Sequence, residues 1–300
     1  MIRVGLVGAG PWAGMFHAPM LANAPGLMLS AVWAPRREAA EHLAQRYGAA
    51  AAATFDDLLE RCDAVAFSVP PDVQATLAPL AARAGRHMLL EKPLARTVDD
   101  ADAIAAAADA AGVATQLMLT YRFTNAGARV PPRAGRCARP VRPHDLDRRR
   151  RVGRLAVCDS VAPGRRRGAA RPRPPVLDLA EAAGGPVTEV RAAERGGVVT
   201  ITTMHAGGTV GQIALSGTTP GAHGPLKAEA VTETGRFILA DAIPGPLDDV
   251  QRAIADEFAR TVRGEFTQQI DAHHGVRIQR MLAAVDESLD TGRPASPRSS

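Results

Sequence analysis

Along residues 1–121 the apolar positions fall into short, nearly unbroken runs at 2–7, 28–33, 64–69, 87–90 and 113–120, with an alanine-rich run near 49–53. Between them, 36–47, 72–84 and 97–111 carry helical spacing. Runs apolar on both sides, alternating with helices, predict a parallel, doubly wound sheet. From residue 186 the period changes. Stretches 187–193, 198–205, 209–218 and 226–241 alternate residue by residue between turn glycines, as antiparallel strands with one wet face would. Helical patterns follow near 247–263 and 271–290, then a polar tail at 292–300. The predicted fold is α/β: a doubly wound domain over 1–121, then an α+β domain over 122–300 with an open, mostly antiparallel sheet.

The first strand runs directly into Gly8-Ala9-Gly10-Pro11-Trp12-Ala13, a GxGxxA turn that opens a helix. In a Rossmann unit the first glycine permits the tight turn and the second lets the backbone approach a pyrophosphate. The small third residue packs the helix on the strand. Val69 and Pro70 end the fourth run where the ribose and nicotinamide of such a dinucleotide would lie. At the end of the second run no acid is present to bind a ribose 2′-hydroxyl. Arg36 and Arg37 stand there instead, which favours a 2′-phosphate and hence NADP over NAD. Glu91, Lys92 and Pro93 follow the fifth run, and a lysine at the carboxyl end of a sheet strand faces the crevice in which these folds hold ligands.

Composition narrows the class. With 46% hydrophobic residues in 300, the chain can bury two modest cores. The opening apolar run is too short for a secretion signal, and no stretch approaches the roughly 20 apolar residues of a membrane span. A cytoplasmic protein with no membrane partner is expected. Cys62, Cys137 and Cys158 lack metal or disulfide spacing, so ordinary thiols and no metal are expected. His273-His274 reads as a solvated pair rather than a metal site, because adjacent helical residues diverge by about 100°. His205, in a strand, reads first as a satisfied structural histidine.

Net charge is +5 overall, yet residues 126–175 contain fifteen Arg, no Lys and three Asp, so that stretch carries +12 and the rest −7. The protein is an acidic globule with one basic segment. Without aromatic residues to stack on bases, nucleic acid is disfavoured as its partner.

Taken in order, Val4 to Ala13, Val69-Pro70-Pro71, Ala84 to Leu94 around Glu91-Lys92-Pro93, and Thr120-Tyr121-Arg122-Phe123 resemble the Gfo/Idh/MocA oxidoreductases. The likeness covers 2–123 and resumes from about 176 to 290. It implies hydride transfer between a nicotinamide and an alcohol or carbonyl of a sugar, polyol or related small molecule. Lys92 would be catalytic, lying between nicotinamide and substrate, and a cis bond would precede Pro93. Tyr121, Arg122 and Asp178 would lie on the substrate side. The C-terminal sheet would cover the substrate crevice with one face and pair subunits with the other. Gln74 departs from the histidine often found there.

The likeness fails between Asn125 and Val176. Only seven of residues 126–175 are large apolar types while eight are proline, a composition that predicts disorder. A basic insert, a divergent linker and a shifted reading frame compete; with 34 Arg against Lys92 and Lys227 alone, a GC-rich gene read out of frame is favoured. The family's histidine partner of the lysine would fall at Pro175 and its preceding aspartate at Arg171, so catalysis in this chain is expected to be impaired. The alternative is a non-catalytic, NADP-binding regulatory protein whose basic segment contacts an acidic partner.

Overall fold

A computed structural model describes residues 1–123, 152–160, 174–216, 227–232, 235–241 and 247–297. The chain divides into two compact units, 1–119 with 246–279, and 120–245 with 280–300.

In the first unit, six parallel strands lie in the order β3-β2-β1-β4-β5-β6: β1 Ile2–Val7, β2 Leu27–Trp33, β3 Ala50–Ala51, β4 Ala64–Phe67, β5 His87–Leu90 and β6 Thr115–Leu117. The order reverses between β1 and β4, and the carboxyl ends of the strands beside such a switch point form the ligand crevice of this architecture. β4 is buried throughout, as expected of a parallel strand covered on both faces. The connecting helices are α1 Ala18–Asn23, preceded by a π-helical turn at Ala13–His17, α2 Arg37–Arg46, α3 Phe55–Glu60, α4 Pro71–Arg83 and α5 Val98–Ala111. Thr54 and Thr97 cap α3 and α5 by accepting the N–H of Asp57 and Asp100. α4 begins on Pro71, whose missing N–H costs nothing at a first helical position.

Of residues 122–300, the stretch 246–279 falls with the first unit. Helix α7, Leu247–Val262, returns to the first unit, where Gln251 donates to the carbonyl of Phe16 and Ile254 accepts from Gln116. The first turn of α8, Ala272–Thr291, is held there too by a bond from the Ala272 N–H to Thr115 Oγ1. Helical period shows that a face is apolar, not which sheet it covers.

The second unit holds a sheet in the order β12-β11-β7-β10-β9-β8: β7 Val152–Ser160, β8 Val187–Arg195, β9 Val198–His205, β10 Val210–Ser216, β11 Lys227–Thr232 and β12 Gly235–Asp241. β7 and β10 are parallel and every other pair is antiparallel. Val190, Ala192, Val199, Ile201, Ile213 and Leu215 are buried on one face. α6, Pro174–Gly184, packs against β7, β9 and β10.

Within the stretch expected to be largely disordered, residues 152–160 form β7. There Val152, Leu155 and Val157 recur locally, and β10 and β11 provide a ladder on both sides; an average over fifty residues hides a nine-residue strand. Positions 174 and 175 open α6, where proline is tolerated. Arg171, Cys137 and the remainder of that stretch lie outside the described residues.

His205 is 4% exposed, and its Nδ1 lies 2.6 Å from the carbonyl of Gly185 while Nε2 lies 2.9 Å from Thr203 Oγ1. A carbonyl only accepts, so Nδ1 carries the proton and neutral imidazole satisfies both contacts. Burial pushes its pKa below the ordinary 6.5. The unfolded chain therefore binds this proton first as the medium acidifies, and the stabilisation, complete above about pH 6.5, is lost as pH falls below it. Thermal melting at pH 7.5 and 5.5 should show a larger drop for the wild type than for His205→Asn; equal drops would contradict this assignment.

Candidate active site

Gly8, at φ +111°, donates its N–H to Trp33, and a Cβ there would lie 2.3 Å from the carbonyl oxygen of Ser68. The β1 turn thus passes directly against the Ser68-Val69 turn after β4, with the Val69 side chain on the same spot. At Gly10 a Cβ would meet nothing within 4 Å. Gly8 is required by the protein's own backbone, whereas Gly10 fronts open space, as a backbone approached by a ligand would. Ala9 lies between them, and the helical run starts at Pro11 with Ala13 fully buried. Together these residues fit the pyrophosphate of a dinucleotide, because the first N–H groups of a helix have no partner within it and favour negative charge.

Arg36 and Arg37 are exposed at the start of α2, just beyond β2. Arg37 is engaged by Glu41 at 2.7 Å, one helical turn on.

Glu91 is 7% exposed at the end of β5 and gathers residues from two other segments. Its Oε1 accepts from Trp12 Nε1 at 2.7 Å and from His17 Nε2 at 2.9 Å. Its Oε2 accepts the Lys92 N–H at 3.1 Å and lies 3.8 Å from Lys92 Nζ. Burial pushes the Glu91 carboxyl up, but His17, Lys92 and Trp12 outweigh it and hold the group below its ordinary range. Gln74, fully buried, accepts the Glu91 N–H and donates to the carbonyls of Glu91 and Leu94. One amide from the helix after Pro70-Pro71 thereby clamps the turn containing the cis Lys92-Pro93 bond. Lys92 itself is partly exposed.

Sequence reasoning missed Trp12 as a partner of Glu91, His17 altogether, and the work done by Gln74. His17 follows the glycine turn in a π-helical stretch, a local irregularity that often marks functional positions, but apolar patterning carries no signal of it.

The expected substrate-side residues lie in the second unit. Arg122 and Asp178 form a bidentate pair, Nε to Oδ2 and the terminal nitrogen to Oδ1, both 2.8 Å. Asp178 is fully buried and the Arg122 side chain 12% exposed, so the pair ties the 3₁₀ turn Thr120–Phe123 to α6. Tyr121, in the same turn, is partly exposed. Pro175 is buried in the first turn of α6. It has no ionisable group.

Elsewhere, burial pushes the Cys62 thiol up to about 11, an unreactive state. The expectation of a solvated His273-His274 pair is corrected for one member: His273 is exposed beside Asp109, whereas His274 is 3% exposed with Nδ1 against Arg277. Among the described residues no three metal-ligating side chains are grouped, and no helix is long and apolar enough to cross a membrane.

The strand order, the glycine turn and the lysine after β5 define a nicotinamide-dinucleotide-binding domain. Residues 2–119 match the family described as oxidoreductase family, NAD-binding Rossmann fold, the Gfo/Idh/MocA family. Over 103 residues it is 38% identical to the dTDP-3,4-didehydro-2,6-dideoxy-alpha-D-glucose 3-reductase of Streptomyces violaceoruber, covering 33% of this chain and 30% of that one. The UDP-N-acetylglucosamine 3-dehydrogenase of Acidithiobacillus ferrooxidans is 33% identical over 103 residues, 34% of this chain and 32% of that one. The chain spans half or less of the length of the curated relatives it matches. Among solved structures, GenD2 from gentamicin A biosynthesis, in complex with NAD, superposes with a TM-score of 0.83 at 20% identity, covering 99% of this chain and 97% of that one. Levoglucosan dehydrogenase with NADH and levoglucosan gives 0.82 at 16%, covering 99% and 100%. These likenesses establish the two-domain fold.

Proposed function

We propose that the chain is a nicotinamide-dependent oxidoreductase that transfers a hydride between the dinucleotide and an alcohol or carbonyl of a sugar, polyol or related small molecule, with NADP favoured over NAD. The observation that carries this reading is Lys92, its Nζ 3.8 Å from the Glu91 carboxylate, at the carboxyl end of β5 beside the glycine turn. Gly8, Ala9, Gly10, Pro11, Trp12 and Ala13 would hold the pyrophosphate, Arg36 the 2′-phosphate, and Val69, Pro70 and Pro93 would border the nicotinamide half. The dinucleotide supplies a hydride acceptor or donor. Lys92 would hold the reacting oxygen of the substrate by a hydrogen bond through Nζ.

Sugar-nucleotide and anhydrosugar substrates in the names of the matched proteins support the substrate class. Their named cofactors are NAD and NADH, so the NADP preference rests on Arg36 and the missing acid alone. Subunit pairing through the outward face of β8, β9 and β10 belongs to the same reading; that face presents Arg191, Thr200, Met204 and Gln212.

Pro175 in the place of the family's histidine supports a second reading, a dinucleotide-binding regulatory protein with little or no turnover, whose basic segment contacts an acidic partner. Initial rates with NADP⁺ or NAD⁺ across a panel of sugars and polyols separate the two. The oxidoreductase reading expects turnover that falls about 10² to 10⁴-fold in Lys92→Met. Turnover unaffected by that substitution would remove Lys92 from the chemistry, and binding without turnover on any member of the panel would favour the regulatory reading.

A further inference from the structure

Two segments far apart in sequence, the stretch holding Trp12 and His17 and the Glu91-Lys92 turn itself, meet at the Glu91 carboxylate, whose residue is 7% exposed. Carboxylate oxygens only accept, so Trp12 Nε1 and His17 Nε2 both donate to Oε1. That assignment leaves His17 Nδ1 buried without a partner among the described residues. A buried polar atom left unpaired is costly, and here it is tolerated while the ring's other nitrogen is directed at Glu91. With Oε1 occupied twice, Oε2 is turned to the next residue, 3.1 Å from the Lys92 N–H and 3.8 Å from Nζ. From the opposite side Gln74 fixes the main chain of Glu91.

From this geometry we infer that Glu91 is the positioning residue for Lys92, and that Trp12 and His17, both supplied by the dinucleotide-binding turn and the helix it opens, aim its carboxylate. The consequence is a direct connection between the two halves of the chemistry. Trp12 belongs to the segment that would face the pyrophosphate, and its indole N–H reaches the carboxylate that holds the lysine. Charge-assisted hydrogen bonds in a largely buried setting are directional and strong enough to hold one rotamer. A flexible four-carbon lysine stem otherwise samples many. The inference rests on the oxidoreductase reading for its purpose, since a held lysine matters where it must meet a hydroxyl.

The chain's two lysines, Lys92 and Lys227, make the test direct. Protein labelled with ¹³C at lysine should give two ε-methylene signals, assigned by the loss of one in Lys227→Arg. A held side chain keeps its two ε protons inequivalent, whereas a freely rotating one averages them. The expected result is a split Lys92 signal in the wild type, collapse in Glu91→Gln and partial recovery in Glu91→Asp, whose shorter carboxylate keeps the charge. Trp12→Phe retains the ring stacked on Phe16 at 4.6 Å while removing the N–H, and should reduce the splitting. This variant keeps the inference testable if Glu91→Gln does not fold by circular dichroism. A Lys92 signal already averaged in the wild type, or splitting unchanged in the folded variants, would overturn the inference. If the splitting behaves as expected but the wild type binds neither NADPH nor NADH, the positioning stands and the oxidoreductase reading fails.

Discussion

Gly8→Ala should unfold at lower denaturant than the wild type and lose dinucleotide affinity together with stability. The added methyl would meet the Ser68 carbonyl oxygen at 2.3 Å, a backbone atom that cannot rotate away, at a φ of +111° where a side chain is strained. Backbone strain and overpacking together cost roughly 2 to 6 kcal/mol. Relief would have to come from separating the β1 turn from the β4 turn, which moves Ala9 and Gly10. Gly10→Ala provides the contrast, because its methyl would enter open space. It should melt close to the wild type yet bind dinucleotide weakly, since that space is where the pyrophosphate is expected. Urea unfolding read beside a dinucleotide titration separates the two effects. Equal stability of Gly8→Ala and wild type would contradict the packing argument, and undiminished binding by Gly10→Ala would contradict the cradle.

A second large effect is expected at Asp178. Removing one partner of a buried, doubly hydrogen-bonded ion pair costs about 3 to 5 kcal/mol, chiefly because the remaining charge loses compensation it cannot recover from water. Asp178 is fully buried and accepts both bonds from an Arg122 side chain that is only 12% exposed. Asp178→Ala should therefore destabilise the second unit by that order in urea unfolding, while Asp178→Asn, which keeps one acceptor, should cost less. Loss below 1 kcal/mol in the alanine variant would show that the pair is not what holds the 3₁₀ turn to α6. It would also return Asp178 to consideration as a substrate contact.

The parts of the structure legible in the sequence are those whose cause is local. Burial on both faces writes itself as unbroken apolar runs, so five of the six parallel strands are legible that way, and the sixth, β3, shows as the alanine-rich run near 49–53. The glycine turn announced itself because its first position demands a conformation few other residues adopt. Even the Arg36-Arg37 pair could be placed, since a strand end and a helix start bracket it.

Effects with distant causes were hidden. His17 and Trp12 reach Glu91 across 74 and 79 residues, and nothing in their own neighbourhoods records that they will. Gln74 looked like a departure from the family, yet its amide satisfies three backbone groups of the lysine turn. Helix α3 is six residues long and was overlooked despite its Thr54 cap. β7 disappeared into the arginine and proline around it, although its strand partners came from clearly patterned segments. The return of α7 to the first unit could not be seen from amphipathic period, which is blind to partner.

Fluorescence titration of the purified wild type and Arg36→Glu with NADPH and NADH tests the central claim most directly. A binding domain built on Gly8, Gly10 and Arg36 predicts saturable enhancement of nicotinamide fluorescence in the wild type, tighter for NADPH than for NADH, with that preference lost in Arg36→Glu. A folded wild type that binds neither dinucleotide would contradict it.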